Sequence, residues 1–283
     1  KRVEKIIANG EIEIDSENKI IWKTYPIARL KKGNGYLNPE FDIIADDSLN
    51  LESKTKLIKY LNKWLIDHIN EVLGDLIKLT KHKIENQYLR GLIFQLYENN
   101  GVVKRGEVDQ IVRSIPLEER KKLWGMGIKI GRYHIYLPKM LKPKAVSFRI
   151  GLWKIFNNLS DKNKIPQSGL NFLVSKSFEK KFLLLCGFEQ FNDFFVRIDI
   201  LEKLFIQIID CTKDRKFKIN ANMMNLLGCS KENFYKLMTY MNYKKDKVVD
   251  TYVFKGERRK KEKLIKFDKK ENPFNKLLSL NIK

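Results

Sequence analysis

Cysteine and histidine are scarce in this chain of 283 residues. The three cysteines, Cys186, Cys211 and Cys229, lie far apart with no CxxC, and the histidines are His68, His82 and His134. No zinc-ligand spacing can be assembled from them. An odd set of separated thiols reads as reduced, mostly buried cysteine in a cytoplasmic protein rather than a disulfide framework. Long apolar runs are also missing. None reaches the roughly 18 residues needed to span a bilayer, and there is no signal peptide, so no membrane partner is expected. Acidic residues are in deficit: Lys+Arg number 56 against Asp+Glu 34, a formal charge of +22. That excess favours polyanionic partners, although a general enrichment in Lys, Ile and Asn contributes to it. Hydrophobic content is 43%, enough for a folded protein with sizeable cores.

Catalytic signatures are missing as well. There is no GxxxxGK[ST] phosphate cradle and no GxSxG. Gly33-Asn34-Gly35 and Gly125-Met126-Gly127 are lone GxG pairs that read as turns, since neither opens a helix with a third glycine. Asp46-Asp47 precedes a long helical pattern, where carboxylates favour the positive helix end. No catalytic residue, metal site or cofactor is expected within this chain. It does not begin with Met, and Lys1-Arg2-Val3-Glu4 reads as the middle of a helix, so a longer polypeptide is expected.

The elements that are present imply a mainly α protein with small β elements, an α+β fold. Residues 1–47 read as a small β-containing segment continuing from an upstream domain. "EIEIDSENKIIW" alternates around a turn, and "KKGNGYLNP" reads as a loop. Residues 48–157 read as a helical bundle with a β-hairpin. A long helix runs from Leu51 to about Leu79, with Ser48, Asn50 or Ser53 as its cap. Three more helices follow, Ile84 to Glu98, Glu107 to Ser114, and Pro116 to Gly125. Then "GIKIGRYHIYLPKMLKP" alternates around a Gly131-Arg132 turn that suits type II′, ends at Pro138, and re-enters a helix at Pro143. Residues 170–256 read as a helix–turn–helix or winged-helix-like part. "FFVRIDILEKL" switches from strand to helix with Asp199 as N-cap, and Asn222 to Leu227 turns at Gly228-Cys229 into a helix capped by Ser230. Residues 257–283 read as a basic tail.

Charge and aromatics interleave in three places. The hairpin carries Lys129, Arg132, Tyr133, His134, Lys139, Lys142 and Lys144, with Arg149 a turn of helix further on. Basic side chains neutralise phosphates, and aromatic rings stack on unpaired bases. The same alternation equally suits a hairpin whose rings fill a core while its lysines are merely solvated, and His134 between aromatics reads as packed. In the helix–turn–helix, Lys231, Asn233 and Lys236 face outward from the second helix. That face either enters a DNA major groove or belongs to an ordinary supporting helical pair. Finally, Arg258, Arg259 and Lys260 sit in a dense basic run able to meet any polyanion.

The order of segments carries a resemblance. "YPIARL…NPEFDIIADD", "LIKYLNKWLIDHI", "LRGLIFQLYENNGVVKRGEV", "GIKIGRYHIYLPKMLKP", "FFVRIDILEKL", "LLGCSKENFYKLM" and "NPFNKLL" follow one another over essentially the whole chain. Together they resemble the C-terminal region of alpha-proteobacterial ATP-dependent helicases, superfamily 2 enzymes related to the mitochondrial degradosome RNA helicase. "GRYHIYLPKMLKP" is the most specific piece. The resemblance implies two RecA-like motor domains upstream of Lys1 that would hold ATP and Mg, and an accessory platform here that guides single-stranded RNA. It assigns no catalytic residue to this region. The chain departs from the pattern in being rich in Lys, Ile and Asn where such helicases are rich in Ala, Leu and Arg, and its basic tail is shorter. Lysine keeps the charge but loses arginine's planar bidentate contacts, so phosphate-based, sequence-blind binding is expected. The alternatives are a free-standing helix–turn–helix DNA-binding regulator and a helical protein-interaction scaffold.

Overall fold

The computed structural model describes residues 2–44, 49–159, 164–174, 180–248 and 250–255. The Asp46-Asp47 pair, the Ser48 cap candidate, Arg258, Arg259, Lys260 and the closing "NPFNKLL" fall outside the described residues.

The chain opens with α1 (Arg2–Asn9) and a four-stranded antiparallel meander, β1 (Ile12–Ile14), β2 (Lys19–Trp22), β3 (Tyr25–Gly35) and β4 (Asn38–Ile43), in that spatial order. The segment expected to be a loop, "KKGNGYLNP", is the β3–β4 hairpin itself, turning over Tyr36-Leu37. Gly33 makes the close pairing possible: a Cβ there would lie 2.0 Å from the Asn38 carbonyl oxygen. Ile20, Ala28 and Leu30 from this sheet share one core with Leu61, Leu65, Leu73 and Leu76 of α2 (Leu51–Lys81). The α2 residues recur at three- and four-residue steps, which lays them on one stripe. Asn50 is the cap, accepting from the Ser53 N–H at 3.0 Å. α2 bends at Leu73, whose φ of −113° and ψ of 15° leave the helical region just before Gly74.

Next come α3 (Gln87–Glu98), β5 (Val102–Lys104), α4 (Arg105–Ser114), α5 (Leu117–Gly125), β6 (Lys129–Ile130) and β7 (His134–Tyr136). Of the helices expected to bundle, α2 packs on α3 and α3 on α4, but β5 threads between α3 and α4, and the sheet order is β5-β7-β6. Helix, strand, helix, helix and a two-stranded wing in this order form a winged helix. A 3-10 turn, Pro138–Leu141, then leads into α6 (Pro143–Phe156), with Pro143 in the first turn.

A small sheet, β8-β10-β9, follows from β8 (Phe172–Val174), β9 (Phe188–Phe191) and β10 (Phe194–Arg197), with α7 (Lys180–Leu185) between β8 and β9. The strand-to-helix switch is where expected, but Arg197 occupies the cap position. Asp199 sits in the first helical turn, held by the Arg197 guanidinium at 2.7 and 2.8 Å.

The chain then repeats its earlier pattern: α8 (Ile198–Cys211), β11 (Lys216–Lys218), α9 (Ala221–Leu227), α10 (Lys231–Tyr240), β12 (Tyr243–Lys245) and β13 (Thr251–Phe254), with sheet order β11-β13-β12. This second winged helix has its own core, including Leu204, Phe217, Met223, Phe234, Leu237 and Tyr252. Gly228 closes α9 in the left-handed region (φ +66°), and Ser230 caps α10 by accepting from the Asn233 N–H at 3.2 Å. The protein is therefore α+β, built around two winged helices.

Candidate nucleic-acid interface

The hairpin expected to carry phosphate contacts is the wing of the first unit, and the fold turns that wing inward. The Glu202 carboxylate, on α8, accepts from three consecutive backbone amides: Arg132 at 2.6 Å, Tyr133 at 2.8 Å and His134 at 2.9 Å. The carbonyl side is also taken. The Arg105 guanidinium donates to the Gly131 carbonyl at 2.8 Å, and the Arg105 N–H to the Tyr133 carbonyl at 2.9 Å. Gly131 is required here for space rather than for a type II′ turn. Its φ is not positive, but a Cβ would fall 2.3 Å from the Glu202 carboxyl carbon. The Tyr133 ring meets Phe191 and Phe205 edge-on, and the Arg132 guanidinium lies 5.9 Å from the Phe205 ring centre.

Beneath the wing, His134 is 1% exposed and therefore out of reach of a polynucleotide. Its Nε2 bonds the Glu189 carboxylate at 2.7 Å, and Lys104 binds the other Glu189 oxygen. Burial alone would pull the His134 pKa down; the Glu189 and Glu202 carboxylates outweigh it and hold the imidazole above its usual value. Burial likewise pushes the Glu189 carboxyl up, but His134 and Lys104 together leave it below the usual carboxylate range. The first wing is thus an ionic plug between the two units.

Arg149 is also an interior residue, 1% exposed, and this corrects its expected place among the phosphate contacts. Its guanidinium donates to the carbonyl of Asn100, just past α3, and at 2.5 Å to that of Leu185, which ends α7. Helix C-termini carry partial negative charge, so two such ends converging on one cation compensate its burial. The Tyr36 hydroxyl donates to the Arg149 carbonyl at 2.9 Å, tying the N-terminal sheet to the same point.

The remaining hairpin residues split. Lys129 and Lys142 are exposed. Lys139 and Lys144 are exposed too, but each is shared with a carboxylate of α2, Asp75 at 3.0 Å and Glu71 at 2.8 Å. Two of the four hairpin lysines are therefore already matched by carboxylates.

The second unit brings a lysine of its helix and a lysine of its wing together over one aromatic ring. Lys231, Lys236 and the half-buried Asn233 lie on α10, with Lys236 paired to Glu232 at 2.6 Å. The wing that follows adds Lys244, Lys245 and Lys247, all exposed, which the sequence alone does not single out. Tyr235 joins helix to wing. The ammonium groups of Lys231 and Lys245 lie 5.5 and 5.6 Å from its ring centre, and its hydroxyl donates to Asp250. Tyr235 and the nearby Asp250 raise the Lys231 pKa, so this cation stays charged throughout the neutral range. Strand β11 adds exposed Lys216 and Lys218, the former bound to Asp246 at 2.7 Å.

A second feature is absent from the sequence-based expectations. Trp124, at the end of α5, is 71% exposed, and Leu117 at the start of that helix is 69% exposed. Among the described residues, no group of three or more His, Cys, Asp and Glu side chains could hold a metal, and no helix is long and apolar enough to cross a membrane. Compared with known protein families, curated proteins and solved structures, the chain matches none.

Proposed function

We propose that this chain binds nucleic acid through its second winged helix, as the accessory region that guides single-stranded RNA for the motor domains of an ATP-dependent helicase. The observation that carries the reading is the meeting of α10 and the wing at Tyr235, whose ring is faced by both Lys231 and Lys245, with Lys244 and Lys247 also exposed on that wing. Ammonium groups on flexible stems neutralise phosphates without reading base edges, which supports sequence-blind binding with a steep salt dependence. The overall charge of +22 adds long-range attraction. The ordered segments that resemble helicase C-terminal regions supply the motor part of the proposal, with ATP and Mg bound by those domains and not by this chain.

A second reading is favoured by the helix–turn–helix geometry of α9 and α10, which in DNA readers presents the second helix to a major groove. A competition experiment separates the two. With a labelled uridine homopolymer bound to the chain, unlabelled single-stranded RNA is expected to displace it at far lower concentration than duplex DNA of mixed sequence. Displacement by duplex DNA at equal or lower concentration would favour the DNA-reader alternative instead.

A further inference from the structure

We propose that the cleft over Arg149 is a binding site for a nucleotide, a flat ring carrying a phosphate; this goes beyond the polynucleotide reading and does not depend on it. The cleft encloses about 460 Å³ where the ends of α3 and α6 and the helix α7 meet the β3–β4 turn. That volume lies in the range of small-molecule sites. Four half-buried rings wall it, Tyr36, Tyr97, Trp153 and Phe156. Tyr36 and Phe156 meet edge to face, with ring centres 6.5 Å apart. Aromatic rings left partly exposed in a concave site gain most from a flat partner that covers them.

The charges around those rings set the rest of the ligand. Among the described residues no carboxylate pairs with Arg149: its partners are the Asn100 and Leu185 carbonyls, and its Nε has none. Helix-end carbonyls carry only fractional negative charge, so the buried guanidinium keeps a positive field beneath the cleft. Lys181 of α7 lines the cleft, is exposed and has no carboxylate partner among the described residues. Lys32 on β3 is exposed and likewise unpaired, with its ammonium 4.9 Å from the Phe156 ring centre. Glu98, exposed at the end of α3, is the acidic residue of the lining. Three cations against one carboxylate favour an anion. The Asn99 and Asn157 side-chain amides, also in the lining, donate to the Gln95 and Trp153 carbonyls, each at 2.8 Å. Their oxygens are left to accept from N–H groups on a ring edge. An apolar peptide would match the rings and leave the cations unmatched, and inorganic phosphate would do the reverse. A nucleotide supplies ring face, ring edge and phosphate together.

Isothermal titration of the full chain with adenosine monophosphate, adenosine and ribose phosphate tests the site. The nucleotide is expected to bind, and each of its two parts to bind at least about tenfold more weakly. Lys181→Glu and Lys32→Glu, both at exposed positions, are each expected to weaken nucleotide binding about fivefold while the unfolding midpoint stays in place. Displacement of the bound nucleotide by a short oligoadenylate with a terminal phosphate, and not by the same strand without it, would assign the cleft to the end of a strand. No displacement by either strand would assign it to a free nucleotide. Absence of nucleotide binding at about 5 mM, or an affinity unchanged in both variants, would overturn the proposal. Ribose phosphate binding as tightly as the nucleotide would overturn it by leaving the rings no part, and adenosine binding as tightly would do so by leaving the cations none. None of these outcomes bears on the lysines of the second wing, so the polynucleotide reading stands or falls separately.

Discussion

The two winged helices share element order and sheet order, yet they use the same parts in opposite ways. In the first, the wing is buried as a connector: its amides are bound by Glu202, its carbonyls by Arg105, and its histidine by Glu189. In the second, the wing folds on itself. The Asp246 N–H donates to the Thr251 carbonyl at 2.8 Å, and the Thr251 N–H to the Val248 carbonyl at 3.2 Å. Its lysines stay in water. A high basic count therefore does not locate a binding face. What differs is the wing itself: Lys244, Lys245 and Lys247 are exposed on the second, although Lys216, Lys231 and Lys236 of that unit face Asp246, Asp250 and Glu232.

Removing the plug should have the largest effect. Glu202→Ala leaves three backbone amides without their acceptor and His134 without one of its two carboxylates, and is expected to cost about 3–5 kcal/mol of stability. Denaturant unfolding would measure the change, and hydrogen exchange should speed up at the amides of residues 132–134. A variant as stable as the wild type would show that the first wing is no more fastened than the second.

The pH dependence of the same plug should be smaller and confined to the first unit. His134 is held above its usual value, so its contribution is fully present below the unfolded imidazole pKa of about 6.5 and is lost as pH rises through the raised folded value. Glu189 is held below the usual range, so its contribution is present above the unfolded carboxylate pKa and is lost as pH falls through the depressed folded value. Protection of the 132–134 amides, after correction for intrinsic exchange, should therefore be greatest in mildly acidic buffer and decline toward alkaline pH. The amides of the second wing, which contains no histidine, should not follow that decline. Parallel profiles in the two wings would remove the distinction.

The sequence makes some of this visible and hides the rest for physical reasons. The α9–α10 turn is legible because Gly228 and Ser230 are local signals, as are Pro138 and Pro143 at the ends of the hairpin region. The duplication is not. β5 and β11 are each three residues long, too short for alternation to register, and without them the helices read as a bundle. His134 and Arg149 count as basic residues in a basic, aromatic stretch. Their partners lie far off in sequence, with Glu189 55 residues beyond His134 and Leu185 36 beyond Arg149. Trp124 gives no local signal because a tryptophan in an amphipathic helix ordinarily marks the buried face, and only the packed structure puts Leu123 there instead.

Nucleic-acid binding centred on the second unit is tested most directly by comparing salt slopes of single-stranded RNA affinity for two triple variants. Lys231→Ala/Lys245→Ala/Lys247→Ala is expected to flatten the slope of log K against log salt by up to about 0.7 for each phosphate no longer neutralised. Lys139→Ala/Lys142→Ala/Lys144→Ala is expected to flatten it less, since two of its lysines are held by α2 carboxylates at 3.0 and 2.8 Å, whereas in the first set Lys231 faces Asp250 at a looser 3.6 Å. An unchanged slope in the first variant, or a greater change in the second, would contradict the proposal.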